Sequence, residues 1–351
     1  MNVRAANSRM FLRLGFVLCF LIRTLLAQSA GNYDRGLAEF RSANYAAAAK
    51  LFASTEAAFP GKTDALLYQA KSLVHLPDFW GAEKALRGYL ASHNDSSDAL
   101  YLLGFVLNRL DRPAESLQIY THAATIIQPA SDDLKIVGLD YVLLGDYADA
   151  IKWLEKAVQF DPQNGDAWYF LGRAYYTRAR LTEAQKAFQK VLDLDPRNAR
   201  AENNLGLIFE TQGNPMAAMT AYRKAIAWQQ GNLHPSAQPY VNLGNLLMEQ
   251  GKLQEAAAPL EKAVALAPND GFCRLRLGVS YRALGRLADA QLQLEKATQL
   301  SPGDANAHYQ LGRLYTEMHE PDRAKAEFAR TAALKDRDSE PTAAAPDSAE
   351  K

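Results

Sequence analysis

Cysteine is nearly absent, with two in 351 residues. Cys19 sits in an apolar run near the start and follows Val17-Leu18, not the small residues of a lipoprotein box. If that start is removed, Cys273 stands alone and no internal disulfide can form, so stability must come from packing. A buried structural thiol is one reading of Cys273, a reactive or intermolecular thiol the other. Excess charge of one sign is lacking too, since 39 Lys+Arg balance 39 Asp+Glu. The first 27 residues hold Arg4, Arg9, Arg13 and Arg23 and no acid, so the remainder carries 35 basic against 39 acidic groups, a net of −4. With no basic stripe, nucleic acid and an anionic membrane surface are excluded as partners. Glycine (21) and proline (15) are sparse, whereas Ala, Leu, Gln, Glu and Lys are plentiful, a balance that leans to an all-helical chain.

A long apolar run is also missing. The run from Leu14 to Ile22 (LGFVLCFLI) is far short of the ~20 residues that span a bilayer. Arginines before it and small residues after it, in Leu26-Ala27-Gln28-Ser29-Ala30, describe a secretory signal peptide over 1–28, with cleavage near Ala27 or Ser29. Arg23 sits where such signals are usually uncharged, so a retained inner-membrane anchor stays open. The expected location is periplasmic or secreted, with no direct membrane binding after cleavage.

Domains seldom grow beyond roughly 250–300 residues around one core, so this length implies two domains or a repeat array. Repeats are what the chain holds. Leu-Gly recurs at Leu171-Gly172, Leu205-Gly206, Leu243-Gly244, Leu277-Gly278 and Leu311-Gly312, at spacings of 34, 38, 34 and 34. Steps of 34 back from Gly172 land on Gly138, Gly104, Ala70 and Gly36. Twelve residues after each position comes a second small residue: Ala48, Ala82, Ser116, Ala150, Ala184, Ala218, Ala256, Ala290 and Ala324. Four further on comes a large one: Phe52, Leu86, Tyr120, Leu154, Phe188, Tyr222, Leu260, Leu294 and Phe328.

One unit reads as two helices around a polar turn such as Gly213-Asn214, Gly251-Lys252 or Gly285-Arg286, where glycine accepts the left-handed conformation. Small residues let the two helices approach, and the large residue one turn on fills the gap. Pro162, Pro196, Pro268 and Pro302 close second helices, since proline cannot continue them. The pattern over Gly165–Asn198 resembles a tetratricopeptide (TPR) unit, with Trp168, Leu171, Gly172, Tyr175, Ala184, Phe188 and Pro196 at signature positions and Val191 departing from the usual Ala. The resemblance covers about 29–338. It implies an all-α, right-handed α-solenoid of about nine helix-turn-helix units, starting near 29, 63, 97, 131, 165, 199, 237, 271 and 305. Arg35 and Gln69 make the first two units irregular, and four extra residues near 229–236 lengthen the sixth. That insertion reads as a longer loop or as a division of the array into 29–235 and 236–338. From Lys335 the residues lose their apolar period and read as a disordered tail, with the solenoid ending near 338.

The sequence holds no constellation of residues that would carry chemistry. The six histidines are spread over four repeats without metal-ligand spacing, no Gly-rich phosphate loop occurs, and neither Ser72 nor Ser280 sits in a nucleophile elbow. Asp132-Asp133 stands at a helix start, where carboxylates meet the helix dipole. The expectation is no enzyme, with no catalytic residue, cofactor or metal.

The resemblance further implies a concave groove lined by the first helices, at the second, fifth, ninth, twelfth and thirteenth residues of each unit. These positions hold Tyr101, Phe105, Asn108 and Arg109, then Lys135, Leu139 and Val142, then Tyr169, Arg173 and Tyr176. Asn203, Glu210, Asn245, Arg282, Tyr309 and Arg313 follow. The carboxylate clamp of the family is incomplete: Arg173, Asn204, Asn245 and Arg313 are fragments of it. An asparagine ladder is missing as well, with only Asn204 and Asn242 in place. The site expected to bind protein or peptide partners is Tyr101, Phe105, Lys135, Leu139, Tyr169, Arg173, Tyr176, Asn204 and Asn245. Aromatic and Arg side chains are frequent interface hot spots, although the same rings could instead pack between units. The reading is a scaffold or adaptor for envelope assembly or secretion. Its competitors are a self-associating solenoid (a homo-oligomer) and a regulatory arm for a separately encoded glycosyltransferase or protease.

Overall fold

The protein's structure, a computed structural model, describes residues 31–58, 60, 61 and 64–339. The signal-peptide reading of 1–28 and the tail from 340 onward lie outside these residues. Eighteen helices and no strand occur among the described residues. The first helices of the units are α1 (31–41), α3 (Ala65–His75), α5 (Ser97–Arg109), α7 (Ser131–Leu143), α9 (Gly165–Thr177), α11 (Ala199–Thr211), α13 (Gln238–Glu249), α15 (Gly271–Ala283) and α17 (Ala305–Glu317). The second helices are α2 (Tyr45–Ala58), α4 (Phe79–Leu90), α6 (Pro113–Ile126), α8 (Tyr147–Phe160), α10 (Leu181–Leu194), α12 (Pro215–Trp228), α14 (Leu253–Leu266), α16 (Leu287–Leu300) and α18 (Pro321–Ser339). The chain divides into two compact units between Arg180 and Leu181, in the turn from α9 to α10, and the 229–236 insertion lies inside the second.

Local chemistry sets the helix ends. Asp78, Ser96, Asp146, Asn164, Asn198, Asn214, Asp270 and Asp304 each accept from a backbone N–H of the turn they precede, satisfying donors that the helix itself leaves orphaned. Pro162, Pro268 and Pro302 each stand two residues beyond the end of a second helix. The turn inside eight of the nine pairs is more uniform than its sequence, the second repeat's Pro77 departing with φ 27°. Ala43, Asp111, Gly145, Ala179, Gly213, Gly251, Gly285 and His319 occupy one repeat position, and all have φ between 55° and 77°. Four are glycine. The other four hold a conformation that costs an L-residue roughly 1–2 kcal/mol, so the pairing of the helices is strong enough to impose it.

That pairing rests on the spacing of 16 between the small and the large residue. A Cβ on Gly138 would lie 2.7 Å from Leu154 Cγ and 3.2 Å from the Ala150 carbonyl; one on Gly244 would lie 2.5 Å from Leu260 Cγ. The large side chain does more than fill a gap. It lies directly on the backbone of the facing helix and is itself sealed, Phe52, Leu86, Leu154, Tyr222, Leu260 and Leu294 being fully buried. The first two units obey the same rule. Gly36 seats Phe52, and Tyr33, Phe40, Phe52 and Tyr68 form an aromatic cluster, edge-to-face at Tyr33–Phe52 and Phe40–Tyr68 and stacked at Phe52–Tyr68. In the insertion, the side chain of buried Gln229 donates to the Ser236 carbonyl and accepts from its N–H, so the longer loop is clamped at its base.

One boundary is corrected. Lys335 to Ser339, read as tail, continue α18, which runs 19 residues against 14 for α16. Asp322 in its first turn and Arg337 in its last suit the helix dipole.

The two glycine roles separate experimentally. Gly251→Ala meets no atom within 4 Å, so its expected cost is the left-handed strain alone, about 1–2 kcal/mol. Gly244→Ala is expected to destabilise although Ala is the better helix former by about 1 kcal/mol. Urea unfolding of the cycle with Leu260→Ala checks the cause: the double variant should lose less than the two single losses combined.

Candidate peptide-binding groove

In the first unit α3 packs on α5, α5 on α7 and α7 on α9, whereas the backbones of α4, α6 and α8 pack only on the first helices flanking them, α4 and α6 being joined by the Arg87–Glu115 ion pair at 3.2 Å. A row in direct contact beside a row that is splayed places the first helices on the inner side of the curve. The second unit repeats this with α11, α13, α15 and α17.

The positions predicted to line the groove do not play one role. Tyr101, Phe105 and Leu139 are half-buried and pack with Tyr120, Ile136 and Val137. The Tyr101 hydroxyl donates to the Ile127 carbonyl at 2.7 Å, tying α5 to the end of the same repeat. These three form the floor, and the anticipated packing between units is their main contact. Lys135 is mostly covered and held by Asp132 at 2.6 Å. Tyr169 is buried at 9% exposure, edge-on to Phe170. Tyr176 is half-buried, while Arg173 is exposed and makes no ion pair among the described residues. Arg109 is exposed over the Phe79 ring, 5.3 Å from its centroid. Leu143, at the thirteenth position of its unit, is 48% exposed. The open surface is therefore Arg109, Leu139, Leu143, Arg173 and Tyr176. In the second unit Asn204 donates to the Arg200 carbonyl at 2.7 Å and Asn245 is half-buried. Asn203 is interior and accepts from Asn242, and Arg282 is taken up by Glu317 and Gln310.

Beneath the groove lies a polar cluster that sequence reasoning missed. Asp140, wholly buried on α7, sits 2.6 Å from Ser116 Oγ and 2.8 Å from Asn108 Nδ2. Ser116 Oγ is also 2.9 Å from the Gly104 carbonyl. A hydroxyl has one proton, and both of those neighbours are acceptors when Asp140 is ionised. All the contacts are satisfied at once when Asp140 is the acid: its O–H donates to Ser116, Ser116 donates to Gly104, and Asn108 donates to the other carboxyl oxygen. Desolvation pushes the carboxyl up to about 6, against the opposing hydrogen bonds from Ser116 and Asn108. Asn108, expected in the groove, is thus occupied inside. The available signal was a carboxylate at the tenth position of its unit, where Val106, Ala174, Ile208, Leu246 and Leu314 stand elsewhere.

Other candidate groups are structural. Burial, with the Asp270 carboxylate adding to it, pushes the Cys273 thiol up to about 12, so it stays a protonated, inert thiol. His308 is buried with Nδ1 at 2.6 Å from Glu327 and Nε2 at 3.1 Å from the Pro302 carbonyl, fastening α18 to α17. Among the described residues no group of three His, Cys, Asp or Glu side chains could hold a metal, and no helix is long and apolar enough to cross a membrane.

Models of the tetratricopeptide repeat match residues 33–97, 141–208, 197–269 and 281–345. The chain is a tetratricopeptide repeat protein. No curated protein matches it. Among solved structures, it resembles a chain of the anaphase-promoting-complex heterotetramer Cut9-Hcn1 at 19% identity and a TM-score of 0.57, covering 83% of this TPR chain and 57% of that one. A TPR protein of Parabacteroides merdae gives 18% identity and a TM-score of 0.57, covering 77% of this chain and 98% of that one. PilW, a type IV pilus biogenesis factor, gives 23% identity and a TM-score of 0.52, over 58% and 92% of the two chains. At these identities the likeness is one of fold.

The Asp140 cluster has a pH signature. Its folded value, about 6, lies above the ordinary 3.8, so between those values the folded state binds more protons and stability falls as pH rises. Asp140→Asn keeps an N–H donor for Ser116 and an acceptor for Asn108 without the charge. At pH 7 it is expected to stabilise the protein by about 1–3 kcal/mol, and the gain should vanish near pH 4, as thermal melts across that range would read.

Proposed function

We propose that this TPR protein is an interaction scaffold that captures an extended peptide or a partner helix on the first helices of its first unit. One observation carries the reading: Arg109, Leu139, Leu143 and Arg173 stand at groove positions of three successive first helices, are open to solvent to differing degrees, and neither arginine is in an ion pair among the described residues. Aromatic and Arg side chains around an apolar floor bury large area at modest entropic cost, as interface hot spots do. The chemistry is recognition.

We further propose that the mature chain works in the cell envelope, in assembly or secretion. The basic and apolar start of the sequence supports export. An assembly role by analogy draws on PilW, a pilus biogenesis factor of like fold.

Since Tyr169 is buried, Tyr176→Ala and Leu143→Asp are the better probes of the groove. A partner retained by the immobilised wild-type chain is expected to be lost with either variant, both keeping the wild-type far-UV spectrum and melting point. Equal retention by both variants would sink the groove. For location, cell fractionation with N-terminal sequencing should find the chain outside the cytoplasm beginning after Ala27 or Ser29; an intact Met1 in the cytosol overturns the export reading.

A further inference from the structure

The charges on the groove are unevenly used. Lys71 is engaged by Asp98 at 3.5 Å and rests over the Tyr68 ring. Lys135 is engaged by Asp132. These two cations are neutralised by carboxylates at the starts of the first helices, which leaves Asp98 and Asp132 with no unmet charge for a basic ligand. Asp64 accepts from the Tyr89 hydroxyl. Arg109 on α5 and Arg173 on α9 differ, both exposed and neither in an ion pair among the described residues. Stacking over Phe79 holds the Arg109 guanidinium by its face, which leaves the N–H edges for an acceptor. Between them α7 offers no cation at the corresponding positions. It offers Leu139 and Leu143. Along the row the groove therefore runs cation, apolar, cation.

We propose that the groove selects segments in which two acidic side chains flank a short apolar stretch. This rests on the groove being the binding face. The geometry sets the spacing. Adjacent packed helices stand about 8–10 Å apart, so α5 and α9 are about 16–20 Å apart across α7. An extended strand advances about 3.3 Å per residue, so the two acids stand about five or six residues apart, with apolar side chains facing Leu139 and Leu143. Arg presents a planar fork of donors that pairs with a carboxylate in bidentate fashion. Both pairs would be partly exposed, so each adds a modest factor, about two- to fivefold, that salt weakens. The acids choose the ligand and its register, while the apolar floor supplies most of the affinity.

The test uses a random dodecapeptide library displayed on phage, selected on the immobilised full chain and counter-selected on the Leu143→Asp variant. The expected result is groove-dependent binders enriched in Asp or Glu pairs about five or six residues apart with apolar residues between. Synthetic versions of these should bind about tenfold more weakly to the Arg109→Gln, Arg173→Gln double variant, and also when both acids are replaced by their amides. Groove-dependent binders with no acidic enrichment, or acidic binders that hold the double variant equally well, overturn this inference and leave the scaffold reading standing. A library that yields no groove-dependent binder overturns both. Since both arginines are exposed, a matching melting point is expected for the double variant, and Arg173→Gln alone, with about half the logarithmic loss, provides the check if it is not.

Discussion

A large side chain seated on a backbone without a Cβ is the contact on which the remaining structure depends. Where Leu154 lies on Gly138 or Leu260 on Gly244, there is no room for even a methyl group. The helices of a pair are thereby held at one separation and one register, since sliding by a residue would put the large group against a side chain. Close-packed interiors tolerate little change in volume. The consequence reaches the turn. Ala43, Asp111 and His319 take the left-handed conformation that glycine takes at Gly213, because the helices they join have no alternative spacing. Tertiary packing dictates the loop here, and local preference only makes the loop easier or harder to form.

With the pairs fixed, stacking decides what each first helix exposes. It must cover its own second helix and the preceding pair and touch the next first helix, so three of its faces are consumed. One narrow stripe stays open, at intervals of four residues along the helix, as Phe105 and Arg109 or Leu139 and Leu143 show. A stripe of this width can present few side chains, so each substitution in it alters the surface strongly. The fold supplies the platform and leaves its chemistry to a handful of positions.

This is also why the sequence was readable to the depth that it was. The spacing of 16 between Gly244 and Leu260 is the packing contact itself, and a repeated contact leaves a repeated trace; the helix pairs and their turns therefore follow from the residues. The export reading of 1–28 lies outside the described residues, and the division between Arg180 and Leu181 falls at an ordinary turn of the repeat, which the period does not announce. The groove was half legible. Its positions follow from the period, but whether a ring at such a position is floor or surface depends on the neighbouring repeat. Tyr169 is buried and Tyr176 is not fully so, on the same helix two turns apart. Lys135 and Arg173 are both cations at predicted positions, yet only Lys135 has an aspartate within reach. That aspartate stands three residues before Lys135 on the same helix, so this difference is local, whereas the burial of a ring is set by the neighbouring repeat.

Asp140 shows what the same logic does to an exception. A carboxyl group at a position that packs between repeats is costly unless every polar atom finds a partner. Here the partners come from the preceding repeat: Asn108 on the first helix, and Ser116 at the place where the other repeats carry Ala. Three departures from the repeat pattern thus meet at one junction and satisfy one another. Each alone would be a defect, Ser116 a buried hydroxyl and Asn108 an amide turned inward. Together they fix which repeat follows which, since no other first helix presents a carboxyl group at that height. An apolar residue would pack there with less electrostatic cost, but it would fit any neighbour. The floor under Leu139 is accordingly a place in the first unit where the order of the repeats, and not merely their spacing, is written into hydrogen bonds, and it lies directly below the stripe proposed to face a ligand.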